Sequence, residues 1–222
     1  MDNQDETQMQ GTEVHQLSSF FSPDRTYMTM HINGDIGEET LNPVIDNIIL
    51  ANMHAGNEVS EEDATGYENL QYINLFINSG GGDMTPTLQL LSAIDSSSIP
   101  IRTIAWADCA SAAFMILMAG HERLVSPHTV LMSHNVSVIV GGEKMKIHTE
   151  DKSFAMMNQA MSDRAFEIYK NYLGKDRAWI KRNLLRTDKQ DVYLTAERAI
   201  EWGIADRYFT SFDMIKEAPV MA

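Results

Sequence analysis

Three short stretches of this 222-residue chain carry residue types able to do chemistry. They are the glycine run Ile77-Asn78-Ser79-Gly80-Gly81-Gly82, a serine among small residues in Cys109-Ala110-Ser111-Ala112-Ala113, and His134. A glycine turn exposes backbone N–H groups to an anion, because glycine accepts positive φ and close approach. A serine at a helix start meets the positive end of the helix dipole, and the N–H after it can point at a developing oxyanion. A histidine near that hydroxyl can take its proton as a general base. In this order the three pieces are compatible with a serine hydrolase acting on peptide bonds. Each alone has a plainer reading: a tight turn, a helix cap, and one of seven histidines.

Other chemistries fit less well. No Gly-Lys-Ser/Thr follows the glycines, so they do not form a phosphate loop, and dinucleotide-binding spacing is absent. Ser111 lacks the Gly-x-Ser-x-Gly flanks of the α/β-hydrolase elbow. His121-Glu122 has no second histidine at metalloprotease spacing, and no paired cysteines occur, so no metal or other cofactor is expected. Cys109, the single cysteine, reads as buried packing rather than a nucleophile.

The elements that must position these residues alternate strand and helix, as in an α/β layered fold. Strands are expected at Thr26 to Ile32, Tyr72 to Ile77, Ile101 to Trp106, Thr129 to Ser133 and Val192 to Leu194. An amphipathic helix spans Leu41 to Met53, and another Thr87 to Ile94, with Thr85 as cap and Pro86 at its first position. Ala112 to Gly120 is apolar on every side, the signature of a buried helix, and Ser111 sits at its start. His121 and His128 fall in an expected surface loop, His148 in a polar stretch. Gly141-Gly142 interrupts an extended segment leading into a long helix, Thr149 to Leu173. Its Phe154, Met157, Met161, Phe166 and Tyr169 form an apolar stripe. The expected organisation is a flexible acidic arm (1–22), one domain (23–210) and a tail (211–222).

Residues 26–208 resemble the proteolytic subunit of the Clp protease, including its phage-type relatives. The glycine run is similar to that family's Ile-Asn-Ser-Pro-Gly-Gly, with Gly80 in place of proline. Ala110-Ser111 resembles its Ala-Ala-Ser-Met-Gly segment, with Ala112-Ala113 replacing Met-Gly. Leu131-Met132-Ser133-His134-Asn135 resembles the segment of its catalytic histidine. Leu194 to Asp206 resembles its closing Leu-Ser-Ala-x-Glu-Ala-x-x-x-Gly-Leu-x-Asp. The resemblance implies a ClpP/crotonase-like layered β-β-α superhelix with a protruding strand–helix handle through which two heptameric rings stack. It implies Ser111 as nucleophile, His134 as base, and an oxyanion hole from backbone N–H groups of Gly81 or Gly82 and of Ala112. The substrates implied are unfolded polypeptides, paired by their backbone along Ile139-Val140-Gly141. The implied partners are further copies of the chain in a homo-oligomeric ring and a separate ATP-driven unfoldase of the AAA+ kind.

The third member of the triad is open. Counting forward from Gly174 through Ile180-Lys181-Arg182 arrives at Asn183, whereas counting back from Leu194-Thr195-Ala196 offers Asp188 and Asp191. Asp191 is preferred because it immediately precedes the strand Val192-Tyr193-Leu194. Three other functions remain: a catalytically silent scaffold subunit of such a ring, a crotonase-fold acyl-CoA enzyme, and a serine–lysine peptidase using Lys144 or Lys146.

Composition excludes further classes. A net charge of −14 argues against a sequence-independent grip on nucleic acid, which needs clustered Lys and Arg. The single cysteine fits a reducing, cytoplasmic setting. No apolar run reaches membrane-spanning length, and the first residues, acidic and glutamine-rich, have no signal core.

Overall fold

The structure, a computed structural model, describes residues 19–60, 62–135, 152–186 and 191–220. The chain runs β1 (Ser19–Phe21), β2 (Tyr27–Asn33), α1 (Glu38–His54), β3 (Tyr72–Ser79), α2 (Met84–Asp95), β4 (Ile101–Ala110) and α3 (Ala112–Ala119). It continues through β5 (Glu122–Val125), β6 (Val130–Ser133), α4 (Lys152–Leu173), α5 (Arg177–Asn183) and β7 (Val192–Thr195). It closes with α6 (Ala196–Glu201), β8 (Arg207–Tyr208) and a 3-10 turn, Phe212–Lys216.

The strands form one sheet in the order β1-β2-β3-β4-β5-β8, with β6 joined to β4 and β7 joined to β6. From β2 to β5 the pairing is parallel, and β3 and the first half of β4 are buried on both faces. That burial explains their near-continuous apolar runs. One face, with Ile73, Leu75 and Ile77, packs on the helices; the other, with Phe76, Ile104 and Leu124, packs on Phe209 and Ile215. All eight residues of α3 are buried, as its unbroken apolar sequence requires.

Strand β4 forks. Its first half, Arg102–Ala105, pairs with β5, and its last residues, Asp108–Ala110, pair with β6. The register with β3 slips between Ile77 and Ser79, so that Ser79 meets Cys109. Such an irregularity bends a strand and re-aims its end, and here that end leads directly into Ser111.

Several boundaries differ from the sequence expectation. Helix α1 starts at Glu38, ahead of Leu41, with Glu38 and Glu39 in the first turn where carboxylates suit the dipole. Helix α2 starts at Met84 with Asp83 as cap, so Pro86 is its third residue rather than its first. Its missing N–H still falls among those a helix start leaves unpaired. Part of the expected arm, Ser19–Phe21, is a strand paired antiparallel with β2. Part of the expected tail, the 3-10 turn, docks by its carbonyls on the sheet. The stretch read as a surface loop contains β5, and its Glu122 is 2% exposed. In the apolar stripe of α4, Phe166 and Tyr169 are buried while Met157 is exposed. Gly141-Gly142, the strand part of the expected handle, lies outside the described residues, as does His148.

Glu122 tolerates burial because it is paired twice. Arg102 Nε donates to its Oε2 at 2.6 Å, and Arg207 Nε and Nη2 donate to its Oε1 at 2.9 and 2.7 Å. The rest of the Arg102 guanidinium donates to Asn74 Oδ1 (2.9 Å), Met214 O (2.8 Å) and Glu217 O (2.9 Å). Tyr72 and Asn74 add bonds to Ile215 O. A charge taken out of water needs this degree of pairing.

Candidate active site

Ser111 is the single residue between β4 and α3, with φ 56° and ψ −117°. A non-glycine residue held there stores about 1–3 kcal/mol of backbone strain, which surrounding contacts must hold in place. Its N–H donates to Met132 O at 2.8 Å, locking the bend against β6.

The glycine turn lies directly against this bend. A Cβ on Gly81 would sit 2.6 Å from Ser111 Cβ and 2.8 Å from Ala110 O, so only glycine lets the turn approach. Gly81 and Gly82 both have positive φ, 102° and 150°. The N–H of Gly81 donates to Ser79 Oγ at 3.0 Å and its carbonyl accepts from Ile36 N at 2.9 Å. Gly82 is exposed, and its N–H takes no part in the bonds from Ile36 N to Gly81 O and from Asp83 N to Ile36 O that fix the turn. Ala112 opens α3, so its N–H has no intrahelical acceptor. Among the described residues the N–H groups of Gly82 and Ala112 meet no acceptor, so of the expected oxyanion donors these two are open and Gly81 is engaged within its own turn.

His134 follows β6, whose parallel pairing sets Met132 beside Ala110. The residues just past both strand ends thus stand together, and His134 Nε2 lies 2.7 Å from Ser111 Oγ. That contact lets Nε2 accept the hydroxyl proton and leaves Nδ1–H for an orienting group. The antiparallel register of β6 with β7 ends at Ser133 opposite Val192. Carried one residue further, that register would set Asp191 opposite His134. Asp191 is exposed, and among the described residues no carboxylate hydrogen-bonds to His134. Asn183 Nδ2 donates to Trp179 O on its own helix at 2.8 Å, and Asp188 lies outside the described residues.

Cys109 is fully buried in β4, and burial pushes its thiol well above its ordinary value, which keeps it un-ionised and inert. His121 Nδ1 accepts from Ile101 N at 3.0 Å, a structural role, and His128 is exposed. Among the described residues no group of three His, Cys, Asp or Glu side chains could hold a metal ion. No described helix is long and apolar enough to cross a membrane. Lys144, Lys146 and Ile139-Val140-Gly141 fall outside the described residues. Sequence reasoning gave no site role to Ser133 and Asn135, the neighbours of His134 in the chain, and put Tyr169, which bonds Ser133, only in the apolar stripe of α4.

A largely parallel sheet thus delivers a serine from a strand end to a helix start, with a glycine turn and a histidine beside it. The fold matches that of a ClpP1 mutant from Listeria monocytogenes with a TM-score of 0.67 and 20% identity, covering 86% of this chain and 94% of that one. Residues 64–211 match the sequence model of the Clp protease, and the chain belongs to that family. Membership makes it a peptidase-type hydrolase in class.

Proposed function

We propose that the chain is a serine endopeptidase, the proteolytic subunit of a ring that hydrolyses peptide bonds in unfolded polypeptides. The observation that carries this reading is the 2.7 Å contact between His134 Nε2 and Ser111 Oγ, made at a strained serine beside open backbone N–H groups. In the first step Nε2 takes the Oγ proton while Oγ bonds to the peptide carbonyl carbon, and the carbonyl electron pair moves onto oxygen. The N–H groups of Gly82 and Ala112 face that oxyanion. Collapse breaks the C–N bond, and the leaving amine takes the proton from Nε2. Water then repeats the sequence on the acyl ester, freeing the acid and restoring Ser111. Asp191, next in sequence to the end of the β6–β7 pairing, is the proposed third group, orienting the imidazole and stabilising its charged form.

Family membership supports assembly of several copies into stacked rings and feeding by a separate AAA+ unfoldase. The sequence has no phosphate loop to drive unfolding itself. A cytoplasmic setting fits the single buried cysteine.

The test is fluorophosphonate labelling of the assembled protein, read by intact mass, beside Ser111→Ala and His134→Ala. Labelling of the wild type that vanishes in both variants supports an activated serine. An unlabelled wild-type ring favours the second reading, a catalytically silent subunit. The observation behind that alternative is the absence, among the described residues, of a carboxylate bonded to His134.

A further inference from the structure

The residues on either side of His134 both reach the chain that leaves α5. Ser133, wholly buried, donates its hydroxyl to Leu184 O at 3.0 Å. Asn135 Nδ2 donates to Arg186 O. Leu184 is the residue that ends α5, so its carbonyl is one that a helix end leaves without an intrahelical donor. The side chains of the two residues that flank His134 in sequence thus hold two carbonyls that flank Leu185.

Ser133 has one hydroxyl proton, and Leu184 O can only accept. The 2.8 Å contact between Ser133 Oγ and Tyr169 therefore has the Tyr169 hydroxyl as donor. Burial pushes the Tyr169 phenol far above its ordinary value, so that proton stays in place. Tyr169 projects from α4 and stacks on Phe114 of α3, with ring centroids 5.8 Å apart. The helix that begins at Ser111 is in this way tied to the strand end that carries His134.

We infer that Ser133, Asn135 and Tyr169 are positioning residues that bind the imidazole and residues 184–186 into one unit. The inference rests on His134 being the general base. The clamp fixes the base relative to the chain that leaves α5, through Leu184 O and Arg186 O. None of the three has a role on the substrate; they act through His134.

The experiment uses the full chain in its assembled state, with Tyr169→Phe, Asn135→Ala, Ser133→Ala and Ser133→Thr. Asn52→Ala serves as control, because that amide makes comparable bonds to Ile48 O and Ser98 N in another part of the fold. The readouts are kcat and KM for an unstructured fluorogenic peptide across pH, and the imidazole nitrogen resonances of His134. Misplacing a reacting group by about 1 Å costs ~100-fold, and partial release of the clamp should lower kcat by ~10-fold with KM held. Ser133→Thr should regain what Ser133→Ala loses, and Asn52→Ala should move neither profile nor resonances. Unchanged kcat and resonances, with only a lower thermal midpoint as in Asn52→Ala, would overturn the inference. If the wild type shows no turnover yet the His134 resonances move in the clamp variants alone, the peptidase reading fails and the positioning of the imidazole stands.

Discussion

Strand β4 begins at a buried cation and ends at a strained serine, and the two ends handle their polar groups in opposite ways. Near its start, Arg102 is wholly buried and its donors are taken up by Glu122, Asn74 and two carbonyls of the closing turn. At its end, Ser111 sits at φ 56°, and the N–H groups of Gly82 and Ala112 beside it are open. Four bonded N–H groups out of five make the first end a lock, since any lost partner leaves a poorly compensated buried charge. Open donors and backbone strain make the second end a place where an incoming group supplies what the fold withholds. One strand carries both because the slip against β3 and the fork from β5 to β6 separate the two halves.

The sharpest way to separate the ends is Ser111→Gly. Peptide turnover should fall by ~10⁵-fold or more, while unfolding free energy rises by about 1 kcal/mol as the positive-φ strain is relieved. Ser111→Ala should lose turnover equally without that gain, and urea unfolding beside a peptide assay reads both. Next in size is Asp191→Asn, expected to lower kcat by ~10³- to 10⁴-fold if it orients the imidazole. A wild-type rate there, with the loss appearing in Asp188→Asn instead, would move that role to Asp188.

At the other end, Arg102→Met should destabilise by about 3–5 kcal/mol, because Glu122 stays buried with Arg207 as its remaining charged partner. Adding Glu122→Leu should recover part of the loss, and the denaturant midpoint measures both. The smallest effect concerns Thr29, whose buried hydroxyl has no hydrogen-bond partner among the described residues. Thr29→Val should therefore stabilise by about 1 kcal/mol. A loss of stability there would mean that the polar row beside Arg102 is satisfied in a way its geometry does not reveal.

How much of this was legible beforehand follows the same division. The strained end is local: a glycine turn, a serine before an all-apolar helix and a histidine after a strand are each visible within a few residues. What separates Gly81 from Gly82 was hidden from the sequence, because it lies in Ser79 Oγ turning back onto the Gly81 N–H. It misplaced the start of α2 because Thr85-Pro86 looks like a cap, whereas Asp83 occupies that position without a side-chain bond. The buried end was illegible. His121-Glu122-Arg123 reads as exposed loop, and only Arg102 and Arg207, 20 and 85 residues from Glu122, make its burial tolerable. The paired edge strand β1 and the docked closing turn were missed for the same reason: their partners are not neighbours in sequence.

The closing turn also has a consequence for synthesis. Two acceptors of Arg102, Met214 O and Glu217 O, come 112 and 115 residues after it. A growing chain can pair β2, β3 and β4 long before those carbonyls exist. Until they arrive, the guanidinium must keep its water, and the sheet face bearing Phe76 and Ile104 stays unsealed. Contacts this distant form slowly, and exposed apolar sheet is prone to aggregate during the wait. A nascent chain halted before Met214 would thus present a hydrated cation beside bare aromatic surface, a form suited to capture by a chaperone.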